Sequence, residues 1–352
     1  MNNKINDILQ IARNWSPPGN VHEITTIDAH TGGEPLRIIT GGLPELEGET
    51  ILARRSYMKA HLDHLRTALM WEPNGHADMY GCIITPPVTS NADFGVLFLH
   101  NEGYSSMCGH GIIAITHTAL ETGMIPMVKP ETTIRIDTPA GLVTAHGKIE
   151  DGRVKGVSFH NVPSFVLALN ETVVVPGLGN VRYDIAFGGA FYAFVNAEDV
   201  GLTTHPEDFS GLIEKGMAIK RAIMSQRPVT HPFEEDLSFL YGTIFIGPPH
   251  GDAHSSNVCV FAEGEVDRCP TGTGVSARLA LHHAKGELEV GQAIKIQSII
   301  GSSFLGRVVK TTTFGPHQAI IPEISGTAAI TGKHQFFIDR SDPLWKGFVL
   351  RS

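Results

Sequence analysis

The sequence predicts an α/β chain made of two similar halves, each with a strand, a glycine-rich turn and an apolar helix in that order. Its 352 residues, 42% of them hydrophobic, suffice for two cores of about 150–180 residues each. Thirty-eight glycines and 21 prolines indicate many tight turns. A segment around Cys108 recurs around Thr271, 163 residues later, which indicates that the second half repeats the first.

Composition excludes several classes of function. The formal net charge is −9, and no basic stretch occurs, so we expect no binding to nucleic acid or to an anionic membrane. No apolar run approaches the ~18 residues that a membrane-spanning helix needs. Residues 1–19 predict a short amphipathic helix ended by Pro17 and Pro18 rather than a signal peptide, and hence a cytoplasmic protein.

The cysteines predict neither disulfides nor a metal site. In a long chain expected in a reducing compartment, thiols stay free. No Cys-x-x-Cys pair and no His-Glu-x-x-His motif occurs, although the chain has 18 histidines. The four cysteines are Cys82, Cys108, Cys259 and Cys269.

In the first half, alternating apolar residues predict strands, and helical spacing of apolar residues predicts two helices. A turn, His30 to Pro35, separates the first two strands. The predicted strands are 21–28, 36–39, a strand that reaches Ile84, 95–100, 133–136, 141–145 and 154–159, and the predicted helices are 49–69 and 108–123.

In the second half, a turn-rich stretch at 176–180 predicts the crossover between the halves. We therefore expect a first half of residues 1–178 plus about 328–352, which carries Cys108, and a second half of 179–327, which carries Thr271. The predicted elements after the crossover are a strand at 183–195 interrupted at Gly188-Gly189, a helix at 208–225, and strands at 293–300 and 304–311.

The internal repeat matches the starts of the two predicted helices. A single shift of 163 residues brings Phe98 onto Phe261 and Gly109 onto Gly272, and it covers strand, turn and helix without a gap. Each half then presents a helix N-terminus with unpaired N–H groups. If the two ends face each other across a cleft, they form an anion-binding site, and the simplest ligand for such a site is a carboxylate.

Cys108 lies at the start of the first of these helices. The unpaired N–H groups and the positive end of the helix dipole both favour a thiolate there. The position therefore predicts a reactive base or nucleophile. The alternative is that Cys108 is a small buried hydrophobic residue before a glycine-rich turn.

The second turn differs in its chemistry. Thr271 takes the place of Cys108, and its hydroxyl cannot act as a base near neutral pH, although it can form hydrogen bonds. Cys269 lies two residues earlier, so we expect it to point away from the site and to be structural. Asp267 is either a ligand for a cationic amine or a turn-capping aspartate.

Residues 107–111 and 267–274 resemble the two signature motifs of the proline racemase family, as do the stretches 30–35 and 188–192. The resemblance runs from about residue 21 to the C-terminus. It implies the diaminopimelate-epimerase-like fold, in which two pseudo-symmetric α/β halves each wrap a curved sheet around a central helix. The active site of that fold lies in the cleft between the halves.

The resemblance also implies a reaction. The family's racemases and epimerases use two facing cysteines, whereas Thr271 in the second position resembles the family's trans-3-hydroxy-L-proline dehydratases. The position of Cys269 is usually serine in the family. In trans-3-hydroxy-L-proline the α-hydrogen and the hydroxyl share a ring face, so one base, Cys108, suffices for syn elimination. We expect a hydro-lyase that forms Δ1-pyrroline-2-carboxylate without cofactor or metal.

The predicted residues act on the two ends of the substrate. Cys108 is the base, with Thr271 opposite, and backbone amides hold the carboxylate. Asp267 and the His110 side chain resemble the family's partners for the ring nitrogen, and Phe261 resembles a pocket wall. The predicted substrate-binding residues are Gly109, His110, Phe261, Asp267, Gly272 and Thr273.

Several alternatives stay open at this point. Tyr80 is either the counterpart of Phe261 or a core residue, and Asp252 and His254 lie either in the cleft or in a solvated loop. A proline racemase or 4-hydroxyproline 2-epimerase would need Cys269 or a water on the second face. A non-catalytic amino-acid-binding protein would have no use for the Cys108 thiol. As partners we expect a small imino acid and a second copy of the chain in a homodimer.

Overall fold

Most of the chain forms β-strands in the computed structural model, which describes residues 2–249 and 251–350. Eighteen strands and six α-helices occur in this described part. The helices are α1 (Asn2–Arg13), α2 (Ile51–Tyr57), α3 (Asp63–Met70), α4 (Gly109–Glu121), α5 (Phe209–Gln226) and α6 (Gly272–Ala284), with a π-helical segment, Met58–Leu62, between α2 and α3 and 3₁₀ turns at Ala197–Val200, Pro206–Asp208 and Glu235–Leu237. The strands are β1 (His22–Thr31), β2 (Glu34–Gly41), β3 (Tyr80–Thr85), β4 (Phe94–His100), β5 (Tyr104–Ser105), β6 (Glu131–Thr138), β7 (Gly141–Glu150), β8 (Arg153–His160), β9 (Ser164–Val175), β10 (Gly179–Phe187), β11 (Phe191–Asn196), β12 (Leu240–Gly247), β13 (Ser255–Phe261), β14 (Glu265–Val266), β15 (Ala293–Gln297), β16 (Ser303–Phe314), β17 (His317–Gly326) and β18 (Ala328–Ile338).

Eight strands close into a barrel around α6. Strands β9, β10, β11, β12, β13, β15, β16 and β17 are each hydrogen-bonded to the next, and β17 pairs back with β9. The pairs β11–β12 and β13–β15 are parallel. Residues 272–281 of α6 are all buried, as expected for a helix that is surrounded by inward-facing strand residues.

A second set of eight strands surrounds α4 in the same way. Its order is β18, β1, β2, β3, β4, β6, β7 and β8, and the parallel pairs are β2–β3 and β4–β6. Strand β8 pairs with the last residues of β17, which leads directly into β18. The matching order and matching parallel pairs make the two halves pseudo-symmetric, as the sequence predicts.

The repeat is regular in the helices and irregular just before them. Both bounds of α6 lie 163 residues after those of α4, whereas β4 and β13, which end at His100 and Phe261, differ by 161. The second connection is therefore two residues longer. The prediction of an ungapped repeat was wrong there, since His100 rather than Phe98 takes the place of Phe261. Gapless sliding cannot detect an insertion inside a turn.

Strand pairing also bears on where the halves meet. Strand β9 pairs with β10 and β17 and contacts α6, so by pairing it lies with the second barrel, ahead of the expected boundary at 178/179. The division into 1–178 plus about 328–352 and 179–327 stays a prediction about folding units. Of these residues, Met1, His250, Arg351 and Ser352 lie outside the described part of the chain.

Outside the barrels, α2 and α3 cover one face of the first barrel with a small apolar cluster of their own. This segment corresponds to the single helix predicted at 49–69. Among the helices of the described residues, none has the length and apolar character to cross a membrane. The cytoplasmic location stays a prediction.

Candidate active site

The helices α4 and α6 meet N-terminus to N-terminus at two glycines. A Cβ atom added to Gly109 would lie 2.6 Å from the Cα of Gly272, and one added to Gly272 would lie 2.8 Å from the Cα of Gly109. Only glycine permits this approach. The unpaired N–H groups of two helix starts are thereby concentrated at one place in the interface between the barrels.

A cavity of about 20 Å³ lies at this junction. All eight residues that the sequence selects for the site line it, together with four more. The eight are Cys108, Gly109, His110, Phe261, Asp267, Thr271, Gly272 and Thr273, and the four are Tyr80, Met107, Tyr192 and Tyr241. Asp252 and His254 do not line it, and Asp252 instead forms an exposed ion pair with Lys295.

Cys108 caps α4 with its own side chain. Its backbone is extended (φ −142°), and its Sγ accepts a hydrogen bond from the Gly111 N–H at 3.2 Å. Sγ also lies 3.3 Å from His110 Nδ1. Burial raises the pKa of the Cys108 thiol well above its ordinary value, although the Gly111 N–H lowers it. The expectation of a favoured thiolate was therefore wrong, because desolvation outweighs the effect of the helix start.

His110 is held as a neutral imidazole against the thiol. Burial lowers its pKa, and the Tyr80 ring lies edge-on at 4.7 Å between centroids. The Thr31 hydroxyl donates to the His110 carbonyl at 3.0 Å. The imidazole is therefore fixed in position beside Cys108 and can accept or donate one hydrogen bond without carrying charge.

Thr271 occupies the equivalent position on α6 but has a different conformation. Its φ is +65°, which is uncommon for a β-branched residue and costs on the order of 1–3 kcal/mol. Its Oγ1 is buried and makes no hydrogen bond of ordinary geometry among the residues that the structure describes. A buried hydroxyl without a strong partner is unfavourable. Thr271 therefore places its hydroxyl at the cavity, where the nearby Cys259 thiol, whose pKa burial raises and this hydroxyl lowers, is a weak partner.

Cys269 faces the same region. Its Sγ, a ring nitrogen of His110 and a carboxylate oxygen of Asp267 all lie within 4.8 Å of one another. Cys269 is nevertheless not among the residues that line the cavity, and its expected structural role stays a prediction. The Cys269 N–H also donates to Asp267 Oδ1 at 2.8 Å, so Asp267 caps its own turn while facing the cavity.

Comparison with known proteins identifies the family of this chain. A sequence model of the family described as proline racemase matches residues 26–349. The chain belongs to the proline racemase family. The resemblance read from the two signature motifs is thus confirmed.

Two close relatives of this proline racemase family chain are named for the same activity. A trans-3-hydroxy-L-proline dehydratase of Colwellia psychrerythraea is 52% identical over 329 residues, covering 93% of each chain. The Homo sapiens trans-3-hydroxy-L-proline dehydratase is 48% identical over 337 residues, covering 93% of this chain and 95% of its own. Among solved structures, a hydroxyproline epimerase from Agrobacterium vitis with bound trans-4-OH-L-proline has a TM-score of 0.89 at 34% identity, covering 94% of this chain and 96% of its own. The predicted fold is confirmed.

A third motif of the family, the turn between β1 and β2, connects the two signature turns. Besides the contact of Thr31 with His110, Glu34 accepts a hydrogen bond from the Arg268 N–H at 2.7 Å. Burial raises the pKa of the Glu34 carboxyl well above its ordinary value, and the neighbouring Asp267 raises it further. Sequence reasoning did not place Glu34 at the site. The sequence signal that could have identified Glu34 was its place in the family motif, a Gly-Gly-Glu turn to which no function had been assigned.

The fourth family motif, Gly188 to Tyr192, packs on α6 from the other side. A Cβ on Gly188 would overlap the Thr273 carbonyl, and the Tyr192 hydroxyl is hydrogen-bonded to Thr273 Oγ1 at 2.6 Å. Tyr241 was missed altogether. It stacks on Phe261 with 5.3 Å between ring centroids, and no sequence signal distinguishes it from other strand tyrosines.

Proposed function

We propose that this enzyme removes water from trans-3-hydroxy-L-proline to form Δ1-pyrroline-2-carboxylate, as a hydro-lyase that needs no cofactor. The observation that carries the proposal is the unlike pair at the two helix starts, the thiol of Cys108 and the hydroxyl of Thr271. Relatives named as dehydratases of this substrate, at 48% and 52% identity, support it.

The substrate carboxylate would be bound at the helix junction. The backbone N–H groups of the first residues of α4 and α6 have no partners within their helices, and they meet where Gly109 and Gly272 touch. Oriented N–H groups of this kind also stabilise the negative charge that moves onto the carboxylate when the α-carbon loses its proton. Asp267 and the neutral His110 would hold the ring nitrogen.

Cys108 would carry out the proton transfers. Its thiolate takes the α-proton, and the electron pair of the broken C–H bond forms the Cα=Cβ double bond while the C–O bond breaks. The leaving hydroxide takes the same proton from the Cys108 thiol, so that water leaves and the thiolate is restored. The enamine product then tautomerises to the cyclic imine. One base suffices because both groups leave from one ring face.

Thr271 would contact the substrate without exchanging protons with carbon. Its hydroxyl is far too weak an acid to replace a thiol near neutral pH. Within the described residues its buried Oγ1 makes no hydrogen bond of ordinary geometry, and the nearby Cys259 thiol is only a weak partner, so a substrate atom can supply a stronger hydrogen bond. This arrangement permits elimination and removes the second proton donor that inversion requires.

A product assay tests the proposal directly. The purified enzyme is incubated with trans-3-hydroxy-L-proline, trans-4-hydroxy-L-proline and L-proline, and the imine is measured with o-aminobenzaldehyde or by coupled reduction. We expect imine from the first substrate only. Inversion of proline or of trans-4-hydroxy-L-proline, with no imine from the first substrate, would refute the proposal.

An epimerase is the second candidate, because Cys269 faces the site beside His110 and Asp267. A thiol there would serve the second face, and the epimerase structure resembles this chain closely. This function predicts deuterium at the α-carbon with inversion when the reaction runs in heavy water. Full dehydratase activity in Cys269→Ser, without inversion in either protein, would exclude it. A homodimer and a cytoplasmic location remain further predictions for this enzyme.

A further inference from the structure

Three potential metal ligands from distant parts of the sequence converge at one edge of the cavity. They are a ring nitrogen of His110, a carboxylate oxygen of Asp267 and the Sγ of Cys269, all buried and all within 4.8 Å of one another. The proposed dehydration uses His110 and Asp267 for the ring nitrogen of the substrate. It gives no task to Cys269.

The separations are close to those of a tetrahedral zinc site. Bond lengths of about 2.0–2.3 Å place two ligand atoms of one zinc ion about 3.3–3.8 Å apart. The three donors need to approach one another by about 1.5 Å at most to reach that geometry.

We propose that the substrate-free enzyme binds one Zn²⁺ through Cys269, His110 and Asp267, with a water molecule completing the tetrahedral coordination, and that the ion inhibits the enzyme. A bound ion would engage His110 and Asp267, the two side chains that are proposed to hold the ring nitrogen of the substrate. Inhibition is therefore competitive with substrate. Metal binding itself does not depend on which reaction the enzyme catalyses.

The ligand set selects the kind of ion. A thiolate and an imidazole favour Zn²⁺ and similar transition-metal ions, whereas Mg²⁺ prefers an octahedral set of oxygens. Apart from Asp267, no oxygen ligand belongs to the group of converging donors in the described residues. Mg²⁺ at the same concentration is thus a matched negative probe.

Cys269→Ser is the decisive variant. The change removes the thiolate with little change in volume, and a hydroxyl is a poor zinc ligand. The chelator-treated full-length protein is titrated with Zn²⁺ against a competing indicator, and Co²⁺ is used to observe thiolate-to-metal absorption bands. We expect one Zn²⁺ per chain in the unaltered enzyme, at least about tenfold weaker Zn²⁺ binding and inhibition in Cys269→Ser, and unchanged activity without metal. Cys82→Ala, which removes a buried thiol outside this group, should keep the zinc affinity.

Asp267→Asn gives a second measurement that does not use activity. It should weaken Zn²⁺ binding and reduce the Co²⁺ absorption while circular dichroism shows a folded protein. Equal zinc affinity and equal zinc inhibition in the unaltered enzyme and in Cys269→Ser would overturn the proposal. So would the lack of Zn²⁺ binding by the unaltered enzyme, or inhibition by Mg²⁺ as strong as that by Zn²⁺.

Discussion

The two helix starts face each other but differ in backbone conformation and in the side chain that they present. At α4, Cys108 is extended and its sulfur caps the helix through the Gly111 N–H. At α6, Thr271 has a φ of +65° and its side chain forms no cap. One half therefore places a thiol over its own helix start, and the other places a hydroxyl at the cavity. A duplicated fold can thus present different chemistry at two equivalent helix starts through a local change of backbone and side chain.

The largest effect is expected from removing the thiol. Cys108→Ala should lower kcat for imine formation by up to about 10⁴-fold, the contribution of a positioned general base. Imine release is measured under saturating substrate, with Cys82→Ala as the matched control. If Thr271→Ala were as inactive as Cys108→Ala, the division of roles between the two halves would be wrong.

The junction of the helices is the next most sensitive point. Gly272→Ala places a methyl group 2.8 Å from the Cα of Gly109, so the two helix starts must separate and their N–H groups leave the carboxylate. We expect kcat/KM to fall about 100-fold, as when one such donor is lost. Gly103→Ala, whose Cβ meets nothing within 4 Å, is the control. Comparable activity of the two variants would contradict the proposed carboxylate site.

The pH dependence should reflect mainly the thiol of Cys108. Because burial raises the pKa of this thiol, its thiolate is the minor form at neutral pH and increases as pH rises. We therefore expect kcat/KM to rise about tenfold per pH unit below that pKa. A profile measured from pH 6 to 10 that is flat or falling would show that the free thiolate is not the base.

The smallest change in rate is expected at Thr271. Thr271→Val keeps the shape of the side chain and removes the hydroxyl. We expect the rate of imine formation to fall by about tenfold or less, which corresponds to the loss of one hydrogen bond. Thr271→Cys makes the two helix starts alike in chemistry and should add α-proton inversion to the dehydration. Inversion is measured as the change in optical rotation when L-proline is incubated with each variant. Equal inversion in Thr271→Val and Thr271→Cys would show that the second thiol is not the donor.

Local patterns predict much of this molecule. The start of α4 could be predicted because Cys108, a polar cap, precedes two glycines and an apolar run, and α6 followed from the repeat. Strand and helix positions follow from alternation and spacing. Eight site residues were selected in advance because they cluster in the two turns, and the cavity indeed brings them together. Their roles remain proposals.

The remainder depends on contacts between distant residues. Glu34 reaches Arg268 only because the β1–β2 turn crosses between the barrels, and nothing near Glu34 in the sequence indicates that. Tyr241 enters the cavity through strand register. The orientation of Cys269 depends on a turn whose backbone angles, including the positive φ of Thr271, are set by packing. Single-residue patterns carry no information about such geometry.

The abutting helix starts also link ligand binding to heat resistance. Each start carries about half a positive charge, and the two are in contact at Gly109 and Gly272, so their mutual repulsion opposes folding. A bound carboxylate offsets that repulsion and binds only the folded chain. A ligand at 100 times its Kd adds about 2.7 kcal/mol to the free energy of unfolding. The melting temperature of this protein should therefore depend on which small carboxylates its buffer contains.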